Sequence, residues 1–324
     1  MDRSTYLTEL HGRLGLPRAM VVDLARRATG REVTRTQRLV RGDEYEVHRV
    51  EIAGGGVVYP RICFPDAPPA KAHREAWVME RARAADVPAP EVLAVETLAT
   101  DDGDRQAMVV SEAPGRQLSV LRPALSVEDR SVVMRDLGRV LGRLHTVRLP
   151  GFGHPDEHGD WPDPEEHHRR YLGNVIADSG HLDRVGFTSA EIEEIGRLLR
   201  HEVVVSPDGR PTLCHTDISV EHVFVDDDLR VTGLIDWGLW LGGAPADELA
   251  ALSMRLDEDD FVAVMAGYPG GSLADVAFGR AVSRSVLTQA IGHIRWLIRS
   301  GQSDGIEPLA TAARRGIAEL SAAA

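Results

Sequence analysis

The spacing of hydrophobic residues changes near Val33 and separates a helical start from a strand-forming region. Residues 1–30 place apolar side chains three, four and seven positions apart, which predicts two short helices split at 15–17. Beyond Val33, β-branched residues come in short runs that predict three strands, at residues 39–40, 47–52 and 57–59. The three glycines at 54–56 fit a turn between the last two strands, and they lack the spacing of a phosphate-binding loop.

The same reading predicts the elements that follow. A helix is expected over 73–85, strands over 91–98 and 107–110, and a hinge-like connection at 111–115. Farther on, helices are predicted to begin at Ser126 and Thr188, and helical spacing returns over 276–298 and 310–324. Between them lie three short strand-like runs, at residues 211–214, 223–225 and 231–235. Residues 150–187 show no regular pattern, and their scattered histidines lack the spacing of a helical zinc site.

Composition and charge narrow the class of protein. The net charge of −13 argues against nucleic acid or an anionic membrane as a partner and suits a cationic small molecule. Only Cys63 and Cys214 occur, far apart, so neither a disulfide framework nor a cysteine metal site is expected. The chain shows no signal-peptide pattern and no apolar run of membrane-spanning length. We therefore expect a cytoplasmic protein.

Candidate chemistry is concentrated between residues 211 and 238. A short apolar run leads into His215 and Asp217, and His222 follows five positions after that aspartate. A strand, a polar turn and a second strand come next, and the second strand ends at Asp236. In kinases, a loop aspartate accepts the hydroxyl proton, a residue five positions on binds metal, and an aspartate past the next hairpin binds Mg²⁺.

The pattern His-x-Asp-x-x-x-x-His, followed by Ile-Asp-Trp after the hairpin, resembles the aminoglycoside and macrolide phosphotransferases, the antibiotic kinases. The resemblance implies an α+β, protein-kinase-like bilobal fold. Its amino-terminal lobe would be a five-stranded antiparallel sheet over 1–115, with 1–30 as a helical cap. Its mainly helical catalytic and substrate-binding lobe would span 116–324.

By this resemblance, Asp217 is the catalytic base, Asp236 binds Mg²⁺, and His222 stands where most members have asparagine. An imidazole is a poorer Mg²⁺ ligand than an amide oxygen, so His222 either ligates the metal, acts through water or orients Asp217. The histidine favours the macrolide branch of the family. Asp247, about ten residues past Asp236, is expected to stabilise the core of the second lobe.

The nucleotide, ATP or GTP, is expected to bind the first lobe. Arg61 takes the place of the phosphate-binding lysine, and Glu75 on the next helix is its partner. Pro60, just before Arg61, cannot donate to a strand ladder and argues against a regular register there. Gly42 lies in the predicted phosphate-covering loop, and the predicted hinge that grips the purine consists of Ser111, Glu112 and Ala113.

The acceptor is expected to be a small-molecule antibiotic, most of all a macrolide. Asp257 and Glu258 open an acidic run that could attract the amine of such a molecule, although a solvated helix start explains the run equally well. The alternatives are an aminoglycoside or cationic peptide antibiotic as acceptor, a choline or sugar kinase, and an inactive kinase fold that only binds a ligand. The oligomeric state is left open.

Overall fold

The computed structural model describes residues 3–42, 44–156, 158–200, 210–301 and 303–322. Two helices come first, α1 (Arg3–Leu14) and α2 (Arg18–Thr29), and the break between them lies at the predicted place. Five strands follow: β1 (Val33–Leu39), β2 (Tyr45–Ile52), β3 (Val57–Cys63), β4 (Val92–Thr100) and β5 (Gly103–Ser111). They form one antiparallel sheet, as predicted, and its strand order is β1-β2-β3-β5-β4.

Two helices cover the two faces of the sheet and bury residues of its central strands, β2, β3 and β5. Val21 and Leu24 of α2 pack against one face, and α3 (Lys71–Ala84) covers the other with Val78 and Met79. Alternation along β3 places Val58 and Ile62 beneath α2 and turns Arg61 toward the α3 side. Arg61, the predicted phosphate-binding residue, therefore lies on the face of the sheet that α3 covers.

Pro60 does not disturb the register of β3, contrary to the expectation from the sequence. The pairing of β3 with β5 includes Pro60, which lies opposite Val109. The pairing with β2 is interrupted at Tyr59 and Pro60 and has the same register on both sides of the gap. A proline removes one donor and leaves its neighbours free to pair, so a central strand can accept it at a position where no donor is needed.

The rest of the chain is mainly helical. Its helices are α4 (Leu118–Leu121), α5 (Val127–Leu144), α6 (Pro164–Ser179), α7 (Ser189–Arg200), α8 (Pro245–Ser253), α9 (Glu258–Gly267), α10 (Val276–Arg299) and α11 (Ile306–Ala322). Its strands are β6 (Arg116–Gln117), β7 (Thr212–Cys214), β8 (Val223–Val225), β9 (Val231–Leu234) and β10 (Leu241–Gly243). Single 3₁₀ turns lie at Arg122–Ala124, Leu182–Val185 and Trp237–Leu239.

The short strands build two small sheets that pack on the buried stripe of α5. Strand β7 pairs with β10, while β8 lies between β6 and β9. Leu137, Leu141 and Leu144 of α5 share one core with Leu213 and Leu234 of these strands. The loops that leave β7 and β9 are thereby fixed on a packed base.

Helix α6 corrects the expectation that residues 150–187 are irregular. Asp163 caps it, because its carboxylate accepts a hydrogen bond of 2.9 Å from the backbone N–H of Glu166. Pro164 in the first turn and two glutamates after it complete the usual start of a helix. Within the described residues, no helix is long and apolar enough to cross a membrane.

Candidate active site

Asp217, His222 and Asp236 converge from two loops, the one between β7 and β8 and the one after β9. The loop after β7 carries Asp217, His222 precedes β8, and Asp236 follows β9. One nitrogen of His222 lies 3.6 Å from a carboxylate oxygen of Asp217, and its other nitrogen lies 3.6 Å from a carboxylate oxygen of Asp236. The ligand atoms of all three residues lie within 4.8 Å of one another.

His215 joins the loop of Asp217 to the strand that ends at Asp236. The backbone N–H of Asp217 donates to Nδ1 of His215 at 3.3 Å, so Nε2 must carry the ring proton and donate to the carbonyl of Ile235 at 3.0 Å. Complete burial lowers the pKa of His215 to about 3 and keeps the ring neutral. The two carboxylate-bearing segments are thus tied by one fixed tautomer.

Backbone conformation at this point is also unusual. Thr216 and Asp236 have φ values of +60° and +67°, in the left-handed region. The hydroxyl of Thr216 donates to the carbonyl of Leu239 at 2.5 Å, and the indole of Trp237 donates to the carbonyl of Leu234 at 2.9 Å. These side-chain bonds hold the two turns in conformations that a free chain would rarely adopt.

The protonation of His222 favours a cation between its ring and Asp236. Its Nδ1 lies in hydrogen-bond contact with the carbonyl of Asp217, which requires the proton on that nitrogen. The lone pair of Nε2 then faces the carboxylate of Asp236. Two acceptors stabilise each other only through a proton or a bound cation between them. The two carboxylates suit Mg²⁺, and the imidazole is the weakest member of the donor set for that ion.

Arg255, just after α8, contacts the predicted base directly. Its guanidinium lies 2.8 Å from a carboxylate oxygen of Asp217 and also donates to the carbonyls of Thr216 and Ile218, at 3.1 and 3.3 Å. Burial raises the pKa of Asp217, and the charge of Arg255 opposes that rise. The sequence offered no signal for Arg255, because it lies 38 residues beyond Asp217 and belongs to no motif.

Glu248, at no measurable exposure, fixes the backbone of the same loop. Its carboxylate accepts hydrogen bonds from the N–H groups of His215 and Thr216. Burial raises the pKa of Glu248 to about 7. The neighbouring Asp247 instead caps α8 at Ala244 and accepts from Ser285, so its predicted structural role is confirmed while the loop contact belongs to Glu248.

Arg61 contacts its predicted partner, Glu75, and also Asp236, the predicted metal ligand. Its guanidinium lies 3.7 Å from Glu75 and 3.3 Å from Asp236, and it covers the ring of Tyr45 at 4.4 Å. The hydroxyl of Tyr45 donates to Glu75 at 2.5 Å. The predicted pair of Arg61 and Glu75 therefore forms, and it links the sheet to Asp236.

Lys71 is a second cation in this cluster that the sequence analysis missed. Its ammonium lies 3.1 Å from Glu75 and 3.1 Å from Glu44, a residue between β1 and β2. The interval of four residues between Lys71 and Glu75 on one helix was the signal that could have revealed it.

Of the other predicted nucleotide-binding residues, Gly42 lies between β1 and β2, Ser111 ends β5, and Glu112 and Ala113 follow it. The carbonyl of Gly42 accepts a hydrogen bond of 2.9 Å from His11 of α1. The N–H of Ser111 already donates to the carbonyl of Glu91, and Glu112 accepts from the hydroxyl of Tyr59. A cavity of about 220 Å³ borders Ser111, Glu112 and Ala113 on the side of Thr232, and neither Arg61 nor Asp236 lines it.

Asp257 and Glu258 lie at the start of α9. The carboxylate of Asp257 caps this helix and is in ion-pair contact with Arg122 and Arg130. It is therefore already partnered by two guanidinium groups, and Glu258 is exposed beside it. Of the histidines in residues 150–187, the ring of His154 packs on Trp240, with 4.9 Å between the ring centres. The side chains of His167 and His168 lie outside the described part of the structure.

The chain matches a known protein family over most of its length. The phosphotransferase enzyme family (APH) matches residues 37–282, well over half of the chain. Comparison with curated protein sequences gives no significant match.

Several solved structures share the fold. A mutant of the aminoglycoside phosphotransferase APH(4)-Ia, solved with ADP and hygromycin B, is 17% identical with a TM-score of 0.65 over 93% of this chain and 98% of that one. The macrolide 2'-phosphotransferase MphH from Brachybacterium faecium is 18% identical with a TM-score of 0.55, over 93% and 97%. A Thermobifida fusca protein assigned as a fructosamine-3-kinase is 17% identical with a TM-score of 0.61, over 93% and 98%.

At such low identity these structural likenesses establish the fold alone, and the fold is the kinase-like one that the sequence predicted. The family match covers both the sheet that carries Arg61 and the loops that carry Asp217 and Asp236. The chain belongs to the phosphotransferase enzyme family.

Proposed function

We propose that this phosphotransferase transfers the γ-phosphoryl group of ATP or GTP to a hydroxyl of a small-molecule antibiotic. One observation carries the proposal: the carboxylates of Asp217 and Asp236 meet at His222, although 19 positions separate them in the chain. Asp217 orients the acceptor hydroxyl and accepts its proton as the oxygen bonds to the γ-phosphorus. The bond from that phosphorus to the bridging oxygen breaks, and nucleoside diphosphate leaves.

Three residues keep Asp217 suited to this role. Arg255 holds the carboxylate and two carbonyls of the loop, so the base has one orientation. Glu248 and His215 hold the backbone of the loop from the buried side. Because a base must lie within hydrogen-bond reach of the proton that it accepts, this rigidity contributes directly to the rate.

Asp236 and His222 would hold Mg²⁺, together with phosphate oxygens of the nucleotide. Bound there, Mg²⁺ would neutralise phosphate charge and fix the orientation of the phosphates. Arg61 lies against Asp236 and supplies a second, protein-borne positive charge at the same place. Glu75 and Tyr45 keep Arg61 in position.

The nucleotide would lie between the sheet and the helical region, which we take to divide near residue 115. Backbone groups of Glu112 and Ala113 would bind the purine, and the loop of Gly42 would cover the phosphates. The reaction needs nucleoside triphosphate, which is abundant in the cytoplasm, and both cysteines are buried and free, as suits that compartment.

For the acceptor, we favour a macrolide. His222 at the position of the usual asparagine supports this choice, and the fold is shared with MphH. The net charge of −13 suits an amine-bearing acceptor, and Glu258 is an exposed carboxylate at the start of α9. An aminoglycoside is the second candidate, because the similarity to APH(4)-Ia has the higher TM-score.

The proposal is tested by incubating the purified chain with γ-labelled ATP or GTP, Mg²⁺ and panels of macrolides, aminoglycosides and sugar amines. We expect label on a macrolide and formation of nucleoside diphosphate. Transfer to a sugar amine alone would replace the antibiotic with a metabolite as acceptor. Nucleotide binding with no transfer to any acceptor class would favour a kinase fold that only binds ligand.

A further inference from the structure

The charged cluster beside Asp236 contains a second cation, Lys71, and a second carboxylate, Glu44, in addition to the pair of Arg61 and Glu75. Lys71 lies in the first turn of α3 and contacts Glu75 and Glu44 at the same distance of 3.1 Å. Its ammonium also lies 5.4 Å from the ring centre of Tyr45, the ring that Arg61 covers. The two cations therefore flank one aromatic ring and share one buried carboxylate, that of Glu75.

Glu44 reaches this cluster from the loop between β1 and β2. A Cβ atom added at Gly238 would lie 2.5 Å from a carboxylate oxygen of Glu44, so the side chain lies directly against the segment that follows Asp236. Glu44 thus connects the predicted phosphate-covering loop, to which it belongs, with the turn that follows Asp236. The carboxylate of Glu44 contacts the ammonium of Lys71 and interacts electrostatically with Arg61.

The two carboxylates on Lys71 differ in how firmly they are held. The side chain of Glu75 is 1% exposed and that of Lys71 is 11% exposed, whereas that of Glu44 is 43% exposed. An ion pair with a partner in water contributes little, because solvent screens it and its side chains lose entropy. A buried pair is costly to break, since it leaves an uncompensated charge. The ion pair of Lys71 with Glu44 should therefore break more easily than its ion pair with Glu75.

We infer that Lys71 is a phosphate-binding residue, and that a nucleotide phosphate takes the place of the Glu44 carboxylate on its ammonium. This inference rests on the proposed function and adds a second cation to the one that the strand supplies. A lysine binds phosphate as a compact point charge, and Glu75 keeps that charge in place throughout.

Calorimetric titration of the full chain with a nucleoside triphosphate and with the matching nucleoside tests the role of Lys71. Lys71→Met is expected to raise the Kd of the triphosphate about 10- to 100-fold, the usual cost of losing a hydrogen bond to a charged group. The Kd of the nucleoside, which has no phosphate, should stay within about twofold of the wild-type value. Lys71→Arg keeps the charge and should recover part of the affinity.

Glu44→Gln tests the exchange on an exposed side chain, where loss of the fold is not a concern. The variant should bind triphosphate about two- to fivefold more tightly, because the phosphate no longer displaces an anion. In the Lys71→Met background the same change should have no effect, which is the signature of direct coupling. Glu96→Gln removes another carboxylate of the sheet, paired with Arg27 at 2.8 Å, and should change nothing.

The inference is overturned if Lys71→Met weakens nucleoside and triphosphate binding alike, since Lys71 would then only support Glu75. It is equally overturned if Glu44→Gln leaves triphosphate affinity unchanged or reduces it. Wild-type protein that binds no nucleoside triphosphate would overturn the proposed function itself, and the inference with it. The two failures are therefore distinguished by the wild-type titration.

Discussion

The guanidinium of Arg255 lies 2.8 Å from the carboxylate of Asp217 and reaches it from outside the loop that carries the aspartate. The same guanidinium donates to the carbonyls on both sides of that aspartate, those of Thr216 and Ile218. Residues 217–222 contain no lysine or arginine. The positive charge that accompanies the proposed base is thus supplied by tertiary structure.

Substituting Arg255 should reduce turnover more than nucleotide affinity. Arg255→Gln removes the charge beside Asp217 and loosens the loop, so kcat should fall about 10- to 100-fold. The KM of the nucleotide should change less than about threefold, because the proposed phosphate-binding residues Arg61 and Lys71 do not depend on Arg255. Steady-state kinetics with the best acceptor measure both values. Arg299→Gln, at the exposed end of α10, is a matched control. An unchanged kcat for Arg255→Gln would remove Arg255 from the site.

Replacing Glu248 should destabilise the protein. Glu248→Ala leaves the buried N–H groups of His215 and Thr216 without their acceptor, at about 1–3 kcal/mol each, so we expect a loss of about 2–5 kcal/mol in unfolding free energy. Glu248→Gln retains a carbonyl acceptor and should lose less. Urea denaturation gives both values. Glu193→Ala, an exposed change on α7, should stay within about 0.5 kcal/mol of wild type, and a similarly small loss at position 248 would contradict this description.

The stability should also depend on pH through Glu248. Its pKa of about 7 in the folded chain exceeds the ordinary value of 4.5, so the folded state binds the proton more tightly than the unfolded state. The resulting stabilisation is fully present below pH 4.5 and is lost as the pH rises toward and through 7. Relative to Glu248→Gln, wild type should lose up to about 3 kcal/mol of unfolding free energy between pH 5 and 8. Parallel pH profiles for the two proteins would show that Glu248 does not titrate in this range.

A lysine should not replace Arg61. The arginine contacts Glu75 and Asp236 with two different nitrogens, and a single ammonium cannot keep both contacts. Arg61→Lys should therefore raise the KM of the nucleotide about tenfold, with a smaller effect on the KM of the acceptor. Arg35→Lys on strand β1, an exposed arginine in ion-pair contact with Glu51, serves as the control. Equal KM values for wild type and Arg61→Lys would show that the two-sided contact has no function.

The sequence predicted the elements whose signals are local. The hydrophobic spacing located the sheet, and the interval between Asp217, His222 and Asp236 predicted residues that do converge. Helix α6 was missed because four histidines and several prolines hid a start signal, Asp163 followed by proline and two glutamates, that was present in the chain. The local sequence therefore contained enough information to predict this helix.

The residues that support the site could not be found in this way. Arg255 and Glu248 act on the loop of Asp217 from 38 and 31 positions away, and nothing local in the chain marks either one. Lys71 had one local signal, its interval of four residues to Glu75, but its contacts with Glu44 and Tyr45 exist only because the sheet lies beside α3. Such contacts follow from packing, which a single sequence does not display, whereas loop spacing is set by the chain itself.

The central claim is that Asp217 and Asp236 serve one phosphoryl transfer, and single-turnover transfer of labelled γ-phosphate tests it most directly. Asp217→Asn should bind nucleotide as wild type does and transfer phosphate about 10²- to 10⁴-fold more slowly, as expected for loss of a general base. Asp227→Asn, in the turn after β8 and paired with Arg116, should transfer at the wild-type rate. Undiminished transfer by Asp217→Asn would contradict the assignment of the base and the account built on it.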